Sequence, residues 1–424
     1  MINRYFQLQE KQTNIEIEFV AGLTTFLTMA YIIFVNPAIL SETGMDKNAL
    51  IAVTCIVTGA TTIITGIFAN APIAMAPGLG LNSFFAYLVV SGKMNWQTAL
   101  GVVFVSGILF LTLTLLGLRK KIVEAIPPSL ICAIAVGIGL FITFIGLKNL
   151  GVVVQNDITF VSAGPLTLTV LIGLLGLLVM LYLEMRKLKG ALLIGIVAAT
   201  ILAAICKKIE LPQQVISSHL GITAIAFKLD IISALKWGFF GSIFTLTFID
   251  MFDSVGTLVA CCHQANMLDS NGRIKGLDRL LSIDAVATVI GALLGTSTTT
   301  AYVESAAGIE QGGRSGLTSI VTGVLFLIAL LFVPIVAIVP LYATAPALIM
   351  VGLFMMKEVK RIDFTNLEEA FPAFIIIVMI ALSYSISTGL AFGFISFTLM
   401  KLVSGKAKEI KPAMWVIAVM SILF

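Results

Sequence analysis

The sequence predicts an all-α membrane protein with fourteen transmembrane segments, arranged as two inverted repeats of seven. Three observations support this prediction. Hydrophobic residues make up 59% of the 424 positions and charged residues only 11%, whereas a water-soluble domain has about 25% charged residues. Apolar runs long enough to cross a bilayer recur from end to end. Basic residues also collect on one set of connecting segments, which predicts an orientation.

The apolar runs predict the spans in order. Spans three and ten are short and interrupted, and the last apolar stretch, 414–424, is too short to cross. The fourteen spans are predicted at 17–40, 49–69, 72–90, 97–118, 128–147, 166–184, 190–206, 236–262, 279–295, 297–311, 316–339, 342–356, 368–385 and 389–403.

The Lys and Arg residues test the orientation. With the N-terminus inside, nineteen of the 26 basic residues lie on inner segments and seven on outer segments. The positive-inside rule then predicts a multi-pass protein of the inner, or plasma, membrane with both termini in the cytoplasm. Segment 1–14 is polar, so no cleaved signal peptide is expected there.

The second half of the chain weakly repeats the first. Moved back by 219 positions, Gly241 falls on Gly22, and moved back by 218, Pro346 falls on Pro128. Seven is an odd number of spans, so the second copy enters the membrane upside down, as is typical of secondary transporters. The predicted units are a first repeat over 1–206, a linker over 207–235 and a second repeat over 236–424.

Two interrupted segments predict a site inside the membrane. Segment 295–308 is small and polar and carries Glu304, and a lone carboxylate is costly in hydrocarbon. Segment 71–87 contains Pro72, Pro77, Gly78 and Gly80, which break a helix. Such backbone is tolerated only where protein or a water-filled cavity surrounds it, and a half-helix after each break would aim free N–H groups at a ligand. A tight helix contact through the two glycines is the alternative.

Further acids lie on the eighth and ninth spans. Asp250, Asp253 and Thr257 are spaced to share one helix face. A carboxyl group buried in low dielectric can hold a proton near neutral pH, which suits proton coupling through Asp253 and Glu304. A structural hydrogen bond to a neighbouring helix is the alternative for each acid. It is favoured for Asp284, and the role of Asp250 stays open.

Five segments of the chain resemble one known family. They look like the purine permease branch of the nucleobase/cation symporters, which is the AzgA-like branch of the uracil-permease-like nucleobase–ascorbate transporters. The segments are Ala21-Gly22-Leu23-Thr24-Thr25-Phe26-Leu27-Thr28-Met29-Ala30-Tyr31, Ala76-Pro77-Gly78-Leu79-Gly80-Leu81-Asn82, Phe252-Asp253-Ser254-Val255-Gly256-Thr257-Leu258, Tyr302-Val303-Glu304-Ser305 and Gly312-Gly313-Arg314-Ser315-Gly316-Leu317-Thr318.

The resemblance implies a fold and two essential acids. In that fold, short strands in spans three and ten cross at the site. A core domain would comprise 15–118 plus 236–340, and a gate domain 119–206 plus 341–404. The essential acids of the family fall on Asp253 and Glu304. Uracil-specific relatives carry a His one helical turn after the first acid, where this chain has Thr257, so their proton relay cannot be transferred directly.

The sequence therefore predicts a secondary active importer of adenine, guanine or hypoxanthine that is coupled to protons, with sodium as the other candidate ion. Ring N–H groups would donate to carboxylates, and an unmatched buried polar group is costly, which gives discrimination. Aromatic side chains would contact the ring face. The predicted substrate-binding residues are Glu304, Asp253, Phe84, Tyr302, Asn82, Ser83 and Thr300.

Two other function classes stay open. A sulfate- or bicarbonate-type anion transporter could share the fold, but two acids without a Lys or Arg deep in a span argue against it. A membrane-embedded enzyme would need a Cys/His or Ser/His/Asp set, and the two His and five Cys residues form no such pattern. No cofactor, metal or nucleic acid is expected. The expected partners are the lipid bilayer and, left open, a second copy in a homodimer.

Overall fold

The computed structural model describes residues 2–117, 126–210, 216, 220–267, 274 and 276–423. Five of the basic residues used for the orientation lie outside the described residues: Arg119, Lys120, Lys121, Arg273 and Lys275. The same is true of positions 211–215 and 217–219 of the predicted linker 207–235.

Helices dominate the described part of the chain. The α-helices are α1 Ile2–Tyr5, α2 Ile15–Met29, α3 Ile32–Ser41, α4 Lys47–Ala69, α5 Leu79–Val90, α6 Trp96–Leu115, α7 Pro128–Leu150, α8 Leu168–Met185, α9 Ala191–Ile205, α10 Ile231–Ala234, α11 Phe240–Gln264, α12 Leu277–Leu294, α13 Ser305–Glu310, α14 Gly316–Ala329, α15 Val333–Ala337, α16 Leu341–Met355, α17 Leu367–Leu382, α18 Ile386–Val403 and α19 Pro412–Leu423. The strands are β1 Met75–Pro77, β2 Val153–Asn156, β3 Phe160–Ala163 and β4 Thr299–Ala301. Short 3₁₀ turns cover Ile222–Ala224, Trp237–Phe239, Leu330–Phe332, Met356–Arg361 and Ala407–Glu409.

Nine helical stretches among the described residues are long and apolar enough to cross a membrane. Two shorter apolar helices, Leu79–Val90 and Ala191–Ile205, lie between them in the chain. The chain is therefore a mostly helical, multi-pass membrane protein. The count of fourteen spans stays a prediction.

Polar side chains mark where many of these helices begin. At these helices, the side chain of the preceding residue accepts a hydrogen bond from an amide of the first turn, which satisfies a donor that has no partner inside the helix. Residues that act in this way are Asn14, Asp46, Asn95, Thr167 and Asn366. These caps place helix ends at the polar boundaries of the apolar runs.

Glycines allow a close contact between two of the long helices. Helix α4 packs against α14, and two glycine pairs seven residues apart face each other across the contact. A Cβ atom at Gly66 would meet the carbonyl oxygen of Gly316 at 2.5 Å, and one at Gly323 would meet that of Gly59 at 2.6 Å. Small residues allow such close approach of backbones in membrane bundles. Helix α7 packs in turn against α16 and α17.

The structure corrects the all-α prediction outside the site. A β-hairpin, β2–β3, lies in the connection between predicted spans five and six and pairs Val153 with Ala163. Its cause is local: Val153 and Val154 favour extended backbone, and Asn156 closes the turn by accepting from the amides of Ile158 and Thr159. An Asx side chain of this kind stabilises a turn.

Predicted span one is also not a single regular helix. Ala30 and Tyr31 separate α2 from α3, although both keep helical dihedral angles. The amide of Ile33 bonds to the carbonyl of Ala30 at 3.1 Å, and that of Phe34 to Tyr31 at 3.0 Å. These three-residue steps are 3₁₀ geometry, and a 3₁₀ stretch inside a helix often marks a functional hinge. The sequence contains no Gly or Pro at 30–31 that would have signalled it.

Candidate functional site

The two interrupted segments meet in the interior of the protein. Strand β1 pairs antiparallel with β4, with Met75 opposite Ala301 and Pro77 opposite Thr299. All six strand residues are buried. Each strand leads into a helix, α5 after β1 and α13 after β4. The start of α5 and the start of α13 therefore lie beside one small sheet.

Neighbouring groups satisfy the backbone of these segments. The amide of Met75 donates to Thr62 Oγ1 at 3.0 Å, and the amide of Ala74 donates to Ser305 Oγ at 3.0 Å. The amide of Gly78 reaches the carbonyl of Thr298 at 3.0 Å. Buried backbone groups need such partners because water cannot reach them. The threonines and serines around the break therefore hold non-helical backbone inside the membrane.

Glu304 lies immediately before α13 and is half-buried. Its carboxylate does not cap that helix. Instead, Oε1 accepts a hydrogen bond of 2.5 Å from the hydroxyl of Tyr31, a length typical of a hydroxyl bonded to a carboxylate. Tyr31 is only 2% exposed. The contact joins the 3₁₀ turn of span one to the start of the half-helix in span ten.

Asp253 lies on α11, across from β4. Its carboxylate accepts a hydrogen bond from the side chain of Thr300, and it lies near enough to Glu304 for the two charges to interact. The sequence predicts that Asp253 is buried, but its side chain is accessible even though protein surrounds it. The difference arises because Asp253 lies on a part of α11 that no other helix covers completely, although α11 packs against β4 and α13.

Asp250, one turn earlier on α11, faces a different set of groups. It is 1% exposed and accepts from Thr288 Oγ1 at 3.2 Å. The same hydroxyl lies 3.1 Å from the carbonyl oxygen of Thr299, and the amide of Thr299 reaches it at 3.3 Å. Asp250 thus supports β4 through Thr288. Asp284 lies fully buried within α12.

Some of the remaining predicted residues lie at the β1–β4 sheet and others lie away from it. Asn82 is fully buried and its Oδ1 accepts from the hydroxyl of Ser297, next to β4. The hydroxyl of Tyr302 donates to the carbonyl of Pro77 at 2.7 Å. Ser83 and Phe84 lie further along α5: the Ser83 hydroxyl bonds to Leu79 of its own helix, and Phe84 is fully buried. The structure therefore brings Asn82, Thr300 and Tyr302 to the sheet and places Ser83 and Phe84 beyond it.

The sequence did not predict Tyr31 as a site residue, although Tyr31 ends the family-like segment 21–31. Nothing in the local sequence distinguishes a tyrosine that bonds to a site residue from one that only packs in an apolar span. A weak signal existed in segment 24–31, which carries Thr24, Thr25 and Thr28 as well as Tyr31 in one predicted span. Polar groups repeated along a membrane helix indicate an interior face.

The family comparison decides where the chain belongs. The sequence profile of the Permease family matches residues 16–392, which include both broken segments and both acids. This chain belongs to the Permease family. The resemblance seen in the sequence motifs is thereby confirmed.

The permease is similar to named permeases along its whole length. It is 40% identical to the adenine permease AdeP of Escherichia coli (strain K12), over 100% of this chain and 95% of that protein. It is also 40% identical to the guanine/hypoxanthine permease PbuG of Bacillus subtilis (strain 168), over 99% and 98% of the two chains. Both relatives are transporters of purine nucleobases by name.

Among solved structures, the permease resembles the transmembrane domain of the bicarbonate transporter BicA from a cyanobacterium. The TM-score is 0.68 at 16% sequence identity, with 88% of this chain and 97% of that chain covered. At this identity the likeness concerns the fold alone. The permease therefore shares its architecture with a bicarbonate transporter, while the two relatives named above are an adenine and a guanine/hypoxanthine permease.

Proposed function

We propose that this permease imports purine nucleobases, namely adenine, guanine or hypoxanthine, by secondary active transport coupled to protons. One observation carries the proposal: the carboxylate of Glu304 lies beside two paired strands between membrane helices, in a chain related to adenine and guanine/hypoxanthine permeases. A purine offers ring N–H groups, and a carboxylate accepts them strongly. The same acid would repel an anion.

The proposed binding residues surround the β1–β4 sheet. Glu304 would accept ligand N–H groups, and Asp253 would carry the transported proton. Asn82 and Thr300 would supply further hydrogen bonds and Tyr302 an aromatic face, with Ser83 and Phe84 supporting α5 behind them. Among these residues, Asp253 has the most accessible side chain, which suits a group that exchanges protons with water.

The proposed architecture is a pair of inverted repeats, 1–206 and 236–424, joined by 207–235, with fourteen spans in total. In this proposal a core domain of 15–118 plus 236–340 carries the site and moves against a gate domain of 119–206 plus 341–404. Packing of α4 against α14, and of α7 against α16 and α17, supports this grouping because each contact lies within one proposed domain.

Uptake measurements test both the substrate and the coupling ion. In cells that lack their own carriers, labelled adenine or hypoxanthine should accumulate, uptake should rise as external pH falls, and a protonophore should abolish accumulation. Labelled uracil, sulfate and bicarbonate serve as controls for the neighbouring substrate classes. Accumulation that depends on a sodium gradient and is unaffected by the protonophore would refute proton coupling. Accumulation of an anion in place of purines would overturn the proposed substrate class.

The proposed orientation is tested by cysteine labelling in a background with the five native cysteines replaced. Lys93 and Asp157 are exposed on predicted outer segments, and Arg186 and Lys408 on predicted inner segments. Cysteine at the first two positions should react with an impermeant maleimide in intact cells. Cysteine at the other two should react only after permeabilisation. Reaction of the Arg186 variant in intact cells would contradict the inverted-repeat topology.

A further inference from the structure

The hydroxyl of Tyr31 is bonded to the carboxylate of Glu304. It donates to Oε1 at 2.5 Å across 273 positions of sequence. The side chain of Tyr31 is almost fully buried, and its backbone lies in the 3₁₀ turn between α2 and α3. A phenol has few rotatable bonds, and packing on every side removes the freedom that remains. The donor is therefore rigid.

This contact makes the two oxygens of the Glu304 carboxylate different. A tyrosine hydroxyl has one proton to donate, and here Oε1 receives it. Tyr31 does not bond to the other oxygen, Oε2. The backbone amide of Glu304 also donates to the carboxylate, but a carboxylate has about four lone-pair sites, so Oε2 can still accept a ligand N–H group. The other buried phenol at the site cannot take over, because the hydroxyl of Tyr302 already donates to the carbonyl of Pro77 at 2.7 Å.

We infer that Tyr31 is a positioning residue for nucleobase binding: it orients Glu304 through Oε1 so that Oε2 faces the ligand. This inference rests on the proposed function. Because Tyr31 lies at the 3₁₀ turn of span one, a change of that turn would also move the carboxylate. The 3₁₀ turn is thus linked to Glu304 through the Tyr31 hydroxyl. Tyr31 itself does not need to contact the ligand.

A double-mutant cycle tests the inference. Equilibrium binding of labelled adenine and hypoxanthine is measured for purified wild type, Tyr31→Phe, Glu304→Gln and the double variant. Tyr31→Phe should weaken binding by about tenfold or more, because hydrogen bonds to charged groups are the strong ones. In the Glu304→Gln background the same change should alter binding by less than about twofold.

Tyr342→Phe is the matched control, since the buried hydroxyl of Tyr342 has no hydrogen-bond partner among the described residues. It should leave binding unchanged. A second readout does not depend on affinity: the infrared band of the Glu304 carboxylate, identified by its loss in Glu304→Gln, should shift in Tyr31→Phe and stay in place in Tyr342→Phe. If binding to Glu304→Gln is too weak to measure, this band alone decides.

Two results would overturn the inference. One is unchanged affinity and an unshifted band in Tyr31→Phe. The other is an equal loss of binding in both backgrounds, which would mean that the hydroxyl acts on the fold and not through Glu304. Failure of the wild-type protein to bind any purine would instead refute the proposed function, so the two failures are distinguishable.

Discussion

Replacing Glu304 by Gln should weaken purine binding by about 1–3 kcal/mol, because the change turns an acceptor oxygen into a donor NH₂ group while keeping the shape. A ligand N–H would then face a donor. The hydroxyl of Tyr31, now 2.5 Å from Oε1, would also lose its charged acceptor. Equilibrium binding of labelled adenine to the purified variant measures the effect.

Asp253→Asn is the informative comparison, because this variant mimics the protonated, neutral form of an accessible acid. It should keep much of the binding and of the exchange of internal for external substrate, yet lose accumulation against a gradient. The contact with Thr300 can survive, since an amide oxygen also accepts a hydroxyl proton. If Asp253→Asn abolishes binding while Glu304→Gln leaves it intact, the roles of the two acids are reversed.

Replacing Glu18 by Ala should destabilise the folded protein by at least about 3 kcal/mol, because several buried donors lose their acceptor at once and each unsatisfied donor costs about 1–3 kcal/mol. The Glu18 carboxylate is fully buried. It accepts from the amides of Arg314 at 2.9 Å, Ser315 at 3.1 Å and Thr318 at 3.1 Å, and from the hydroxyl of Thr318 at 2.5 Å.

These donors belong to the turn before α14 and its first helical turn. A negative charge there also interacts favourably with the helix dipole, so Glu18 on α2 stabilises the N-terminal end of α14. The midpoint of thermal unfolding in detergent measures the loss. Glu16→Ala is the matched control, because Glu16 lies on the same helix turn and is exposed. Equal midpoints for the two variants would contradict this stabilising role of Glu18.

Much of the membrane character could be predicted from local sequence. Apolar runs, basic connecting segments and helix-breaking Pro and Gly residues are properties of single segments, and each reports how that segment interacts with lipid or water. The same reasoning marked Glu304 and Asp253 as candidate site residues, since a carboxylate in an apolar run is costly unless it has a function or accepts structural hydrogen bonds. The hairpin β2–β3 was missed because the strong helical signal on both sides obscured four-residue strands.

What the sequence alone determined about this protein is therefore its membrane class, the positions of its two broken segments and the acids placed beside them. Only the tertiary structure decided which side chains hold those acids. Tyr31 meets Glu304 and Glu18 meets Thr318 across 273 and 300 positions, and Thr288 links Asp250 to β4. The reason is physical: a hydroxyl or a carboxylate can bond to any suitable group that packing brings within about 3 Å, and the packing of distant helices leaves no mark on the local pattern of either partner.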